Sequence, residues 1–355
     1  MRVPVIVGLF FILFSCGEET NKPEPNPPTP LSIRGADVSF LPEIEVYPTT
    51  FLDADGTAVD VLDLLKENGC NAIRIRLWHT PSSGHSGLAE VIDFSNRVRA
   101  KGLKVWITVH YSDTWADPGH QTKPNAWNTL GFSDLSDSVY NYTKKVVLAM
   151  EPDIIQIGNE INSGFLWPDG NISNLTNFTT LLKRGVQAVR DFSPTTKVMI
   201  HYAGHSSAQG FYQQLQNQNV SYDMIGLSYY PIWHGKDLNA LKTNMNNLGF
   251  TFGKEIIIAE TAYPFTLEWN DWTNNIVGET GHLVSGYPAT PEGQKLFLLK
   301  IKQLLLETEK GTGFCYWAPE WIAYKGNEST SGSSWENMAL FNFSNKAQPA
   351  MEAFE

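Results

Sequence analysis

Only three cysteines occur in the 355 residues, Cys16, Cys70 and Cys315. That number excludes a disulfide-built scaffold, and their spacing suits no structural metal. Cys70 and Cys315 sit at different expected strands, Cys70 just before one and Cys315 within another, and read as buried thiols. Basic residues are short as well: 26 Lys and Arg face 37 Asp and Glu, for a formal net charge of −11. No Lys/Arg cluster or stripe is present, which excludes nucleic acid as a partner. An acidic surface also repels a polyanionic polymer, so a neutral substrate fits it better. No glycine-rich loop follows the first expected strand, as a doubly wound nucleotide-binding sheet would require. Internal repeats and a second domain are absent too.

Apolar runs are scarce, and the one of note is N-terminal. Residues 1–15 place Arg2 ahead of a run from Val3 to Phe14, too short for a permanent membrane span and built like an export signal. The run ends Leu13-Phe-Ser-Cys16, which resembles a bacterial lipobox with Cys16 as the lipidated residue. Glu18 and Glu19 resemble the acidic export tag of surface lipoproteins. Residues 16–30 then include Lys22-Pro-Glu-Pro-Asn-Pro-Pro-Thr-Pro30, a semi-rigid polyproline spacer. The layout predicts an exported module, lipid-anchored at the outer membrane and facing the cell surface.

Residues 31–355 are different in kind. Aromatic residues reach 12%, with 11 Trp and 13 Tyr, and such rings stack on the apolar faces of sugars. Eight short β-branched runs recur at 33–38, 71–77, 104–110, 153–159, 197–202, 223–229, 255–260 and 312–317. Helical periodicity lies between them at 59–68, 88–101, 135–150, 178–192, 238–248 and 292–310. Alternating strands and helices imply parallel pairing. Eight units in this length predict an α/β fold, a single (β/α)8 TIM barrel.

A barrel puts its chemistry at the C-terminal ends of its strands. Asp37, Arg74, Arg76, His110, Asn159, Glu160, His201, Tyr229, Tyr230, Glu260 and Trp317 all fall there. Two of these are glutamates closing apolar runs, where a carboxylate loses solvation and needs a use. A pair of them suits cleavage of a glycosidic bond, one as acid/base and the other as nucleophile. Glu160 then requires surroundings that raise its pKa, and Glu260 requires donors such as Arg76 and Tyr229. In Arg74-Ile-Arg-Leu-Trp78, strand alternation turns Arg74, Arg76 and Trp78 to one face. The two arginines point into the barrel, with Asp37 and Glu260 as expected anionic partners.

The motifs Gly35-Ala-Asp37-Val-Ser, Arg74-Ile-Arg-Leu-Trp78, His110-Tyr-Ser-Asp-Thr-Trp-Ala-Asp-Pro-Gly119, Gly158-Asn-Glu160, Gly226-Leu-Ser-Tyr-Tyr-Pro-Ile-Trp-His-Gly235, Ala259-Glu-Thr261 and Ser333-Ser-Trp-Glu-Asn337 resemble those of glycoside hydrolase family 53. That family comprises arabinogalactan endo-β-1,4-galactanases, and the likeness covers roughly residues 33–345. The resemblance implies Glu160 as acid/base, Glu260 as nucleophile, β-1,4-galactan as substrate, a retaining mechanism and no organic cofactor. It places His110, Asp113, Trp115 and Asp117 on the glycone side and Asn159 on the sugar 2-hydroxyl. His201, Tyr202, Trp233 and His234 become further walls, Trp317 the floor, and Trp321 and Trp335 extensions of the groove.

The resemblance also implies a structural calcium ion in the loop after the seventh strand. Asp271, the Thr273 carbonyl, Asn275 and Ser333 would be its ligands, although Trp269 stands where another acid is expected. The expected state is a monomer. Other readings remain open from the residues: a retaining β-glucanase or β-mannanase, or a surface glycan-binding lipoprotein without turnover.

Overall fold

The computed structural model describes residues 31–355 together with Met1 and Pro4; the rest of the expected signal, Cys16 and the proline-rich spacer lie outside the described residues. Eight strands, β1 (Ile33–Asp37), β2 (Ala72–Leu77), β3 (Lys104–Val109), β4 (Ile154–Ile157), β5 (Lys197–Ala203), β6 (Met224–Ser228), β7 (Glu255–Thr261) and β8 (Gly311–Trp317), close a barrel in sequence order. Every neighbouring pair is parallel, with β8 returning to β1. The expected (β/α)8 barrel is the observed fold.

The helices are α1 (Leu41–Ile44), α2 (Val61–Glu67), α3 (Leu88–Ala100), α4 (Phe132–Met150), α5 (Leu175–Phe192), α6 (Ala208–Asn217), α7 (Pro231–His234), α8 (Leu238–Phe252) and α9 (Pro291–Leu306). Their starts follow capping chemistry: Asp60 accepts the amides of Leu62 and Asp63 at α2, and Asp237 those of Asn239 and Ala240 at α8. The sequence reading lacked α6. Its exposed face is glutamine-rich, yet Ala208, Phe211, Tyr212 and Leu215 form a buried stripe at helical spacing.

Alternation along the strands separates two cores. Ile73, Ile75, Ile107, Ile155, Ile200, Ile225, Ile258 and Phe314 face the helices within the larger cluster. Ile33, Ala72, Trp106, Ile154, Met199, Met224, Ile257 and Cys315 fill the barrel itself. This plug supports everything above it. Cys70 and Cys315 are free and buried, and burial pushes the Cys70 thiol up to about 12. No described helix is long and apolar enough to cross a membrane.

Candidate active site

Two residues further along the same inward-facing rows, the barrel lining becomes polar. Asp37 lies beside Arg74 in the β1–β2 register, and the Arg74 guanidinium meets it at 2.6 Å. The other arm of Arg74 meets Glu260 Oε1 at 2.8 Å and Asn159 Oδ1 at 2.8 Å. Its Nε donates to Gln156 at 2.8 Å. Arg74 is buried, and this full set of acceptors offsets the desolvation of its charge.

Local backbone irregularities aim both glutamates. β4 ends at Ile157, and the chain then turns through Gly158 at φ 83° and Glu160 at φ 45°. A side chain at 158 would meet Ile161 Cγ2 at 2.5 Å, so only glycine allows this turn. The left-handed turn brings Asn159 and Glu160 to the same mouth. On β7 the register shifts between Ile258 and Thr261. Ala259 lies in the interior plug, and regular alternation would send Glu260 outward. The bulge turns it inward instead.

The two carboxylates occupy unlike surroundings. Glu260 takes Arg74 on one oxygen and the Tyr230 hydroxyl on the other at 3.0 Å. Burial raises its pKa, and the arginine is the main opposing influence. Glu160 makes no ion pair among the described residues; its Oε1 is bonded to Ser228 Oγ. Burial first, and Glu260 second, push it up to about 8. Negative charge therefore settles on Glu260 while Glu160 keeps its proton. Ligating atoms of Glu160, Glu260 and His201 lie within 4.8 Å of one another.

The donors to Glu260 are thus Arg74 and Tyr230, in place of the expected Arg76 and Tyr229. Tyr229 faces outward, and its hydroxyl bonds the Gly235 carbonyl at 2.9 Å. Arg76 makes no ion pair with an acid among the described residues. Its Nε bonds Ser86 at 3.0 Å, and its guanidinium lies 4.1 Å from Trp115 and 4.5 Å from both Trp78 and Phe40. Burial draws its pKa down to about 10, with Asp37 and Glu320 opposing.

A cleft of about 440 Å³ spans the mouth. Its lining includes the expected Asp37, Arg74, Arg76, His110, Trp115, Asp117, Asn159, Glu160, Trp233, His234, Glu260 and Trp317. Trp335, expected to extend the groove, and Tyr230, placed at the strand ends but given no role there from sequence, complete the wall. His110 Nδ1 accepts the Trp78 indole and the Ala116 amide, which leaves its proton on Nε2. Trp115 and Trp233 are 38% and 55% exposed, so their ring faces are open to a ligand.

Four expected wall residues stand elsewhere. Tyr202 follows inward-facing His201 and must point out; its ring packs 5.1 Å from Phe211 of α6. Asp113 braces a loop by accepting the Thr80 and Asn125 amides. Trp321 stacks 4.0 Å from Phe40 behind the cleft wall. His201 lies beneath the mouth, with Nδ1 3.1 Å from Asn159 Oδ1 and Nε2 2.9 Å from Ser228 Oγ.

A parallel eight-stranded barrel with two close carboxylates, one paired with arginine and one protonated, beside an aromatic cleft, defines a glycoside hydrolase. The chain belongs to glycosyl hydrolase family 53, whose model matches residues 33–354. The arabinogalactan endo-β-1,4-galactanase of Cellvibrio japonicus is 35% identical over 340 residues, 90% of each chain. A solved family 53 catalytic domain from Ignisphaera aggregans is 39% identical, with a TM-score of 0.87 over 93% of this chain and 99% of that one. A structure from work on two fungal β-1,4-galactanases is 32% identical, with a TM-score of 0.80 over 91% and 99%.

Proposed function

We propose that the protein is an endo-β-1,4-galactanase that retains anomeric configuration through double displacement. The observation that carries this reading is the close, asymmetric carboxylate pair: retaining enzymes hold their carboxyl groups about 5–5.5 Å apart, inverting ones about 6.5–9.5 Å. Glu260, ionised beside Arg74, attacks the anomeric carbon as Glu160 protonates the departing glycosidic oxygen. Water then attacks the galactosyl-enzyme, gives its proton to Glu160 and releases Glu260. Asn159 is positioned to bind the sugar 2-hydroxyl, and Trp115, Trp233 and Trp317 to stack on sugar rings. The galactan specificity follows the relatives' named activity and the neutral, aromatic cleft. No organic cofactor enters this chemistry.

The test is digestion of β-1,4-galactan, β-glucan and β-mannan, with the first product's anomer read by NMR. β-Galacto-oligosaccharides released from galactan are the expected result. Prompt α-product, cleavage of mannan or glucan instead, or binding without released reducing ends would overturn it. The lipobox-like residues before Cys16 support export and lipid anchoring at the outer-membrane surface; loss of palmitate labelling in Cys16→Ala tests that.

Calcium suits the loop after β7. Asp271 and Glu336 are both buried. The bonds to their carboxylates come from the amides of Thr273, Ser333, Asn270 and Asp271, with the Asn275 amide at 3.5 Å. Neither forms an ion pair among the described residues. Asn275 Oδ1 and Glu336 Oε2 are buried without a partner. A hard, all-oxygen set of this kind fits the ion. Asp271, Thr273, Asn275 and Glu336 would hold it, stabilising the loop without entering the reaction. Glu336 was missing from the expected ligand set. Ser333, which was in it, donates its hydroxyl to the Trp321 carbonyl and accepts the Trp335 amide.

A further inference from the structure

The hydrogen bonds beneath Glu160 run in one direction only. A guanidinium is purely a donor, so the Asn159 atom 2.8 Å from Arg74 Nη2 is its oxygen. Asn159 Nδ2 donates to the Ala116 carbonyl at 2.8 Å, which anchors the other half of the amide. That same oxygen faces His201 Nδ1 at 3.1 Å, so Nδ1 carries a proton. His201 is fully buried, and burial together with Arg74, His110 and His234 holds its pKa well below the usual range. The imidazole is therefore neutral, and its Nε2 is a bare acceptor.

Nε2 lies 2.9 Å from Ser228 Oγ, and Ser228 has only one proton. If that proton goes to His201, the contact between Ser228 Oγ and Glu160 Oε1 needs a proton from the glutamic acid. We infer that Ser228, oriented by Arg74, Asn159 and His201, is a positioning residue that accepts a hydrogen bond from protonated Glu160 and holds it in its acid form. Loss of the Glu160 proton leaves two acceptors, the carboxylate and Nε2, competing for one serine hydrogen in a buried site. One of them goes unsatisfied. The same strain favours return of a proton from the attacking water, so the relay serves both half-reactions without gaining or losing a proton itself. Glu260, Asp117 and Arg74 are the charged groups facing Glu160, and Ser228→Ala leaves all three in place.

This inference rests on Glu160 being the acid/base, and its test reads the sign of a pH shift. The basic limb of kcat/KM on β-1,4-galactan reports the free enzyme's essential acid. Ser228→Ala removes an acceptor that favours the neutral acid. The limb should therefore move to lower pH by roughly 0.5–1 unit, the worth of one hydrogen bond. His201→Phe frees the serine proton to turn onto the carboxylate and should move the limb down further. If Ser228 instead donates to an ionised Glu160, Ser228→Ala raises the limb, and a rise or no movement overturns the relay.

A dinitrophenyl β-galactobioside, whose leaving group needs no acid, keeps the two readings apart. Glu160→Ala is expected to release dinitrophenol in a burst while losing galactan cleavage. Full galactan activity in Glu160→Ala overturns the acid/base assignment itself. The expected burst combined with an unmoved Ser228→Ala limb overturns only the relay.

Discussion

The interior of this barrel holds two unlike regions on the same strands. At the lower level Ala72, Trp106, Ile154, Met199 and Ile257 form an apolar plug. One inward step higher, about 6–7 Å along a strand, stand Arg74, Thr108, Gln156, His201 and, across the bulge, Glu260. The plug is dry packing and supplies stability. The upper level is an ionic cluster, and a buried ion cluster contributes little net stability because desolvation offsets its attraction. Folding and chemistry are thus divided by height, and Arg74, 5.8 Å from the Trp106 ring, joins the two levels.

Substitutions one step apart should separate these roles. Glu260→Ala is expected to lower kcat on the order of 10⁴-fold or more, with the thermal midpoint changed by only a few degrees. A folded variant retaining near-normal galactan hydrolysis would remove Glu260 from the nucleophile's role. Arg74→Leu is expected to lower kcat about 10²–10³-fold, as misplaced charge at a transition state does. It also takes away the cation that opposes the burial-driven rise of the Glu260 pKa. The ionised nucleophile is then lost at a higher pH, and the acid limb of the rate profile moves up. An acid limb that stays in place would break the link between Arg74 and Glu260.

Trp106→Ala should do the reverse of Glu260→Ala. Trp106 is fully buried in the plug, and its truncation is expected to cost about 3–5 kcal/mol of stability. Below its new midpoint, kcat should stay within a few-fold of the original. Chemical denaturation beside a galactan assay at low temperature measures both. Lost turnover in protein that is still folded would show that the two levels are not separable.

Much of the upper level was legible because strand alternation is strict where strands are regular. Arg74 and Arg76 were placed inward by their spacing, and His201 belongs to the same kind of row. The same rule, applied consistently, would have rejected Tyr202 and Tyr229, each adjacent to an inward residue, and would have found Ser228. Glu260 is the opposite case. Alternation from Ala259 points it outward, and the bulge that turns it inward leaves no mark in hydrophobic periodicity. Arg76 failed in partner rather than direction. Its charge is met by the rings of Phe40, Trp78 and Trp115, which come from three separate segments whose convergence only the closed barrel sets. Asp113 and Trp321 were grouped with the site through the family resemblance, and a likeness in sequence does not fix which way each loop side chain faces.

The loop after β7 offers the gentlest test of the same contrast. Like the mouth, it buries two carboxylates close together, its own Asp271 and Glu336 from the segment after β8. At the mouth Arg74 supplies the compensating charge; in the loop only neutral donors are present among the described residues, and burial raises the Glu336 pKa. A cation there would stabilise the fold through binding alone, by about 2.7 kcal/mol at a hundred times Kd. For a chain of this size that shifts the midpoint on the order of 5 °C. Adding EGTA should lower the midpoint by that amount, excess calcium should restore it, and kcat at 25 °C should stay constant. Glu336→Gln should abolish the calcium response while leaving the cleft intact. A midpoint indifferent to both calcium and EGTA would mean that the loop balances its acids with amides and a retained proton, as Glu160 does at the mouth without any cation of its own.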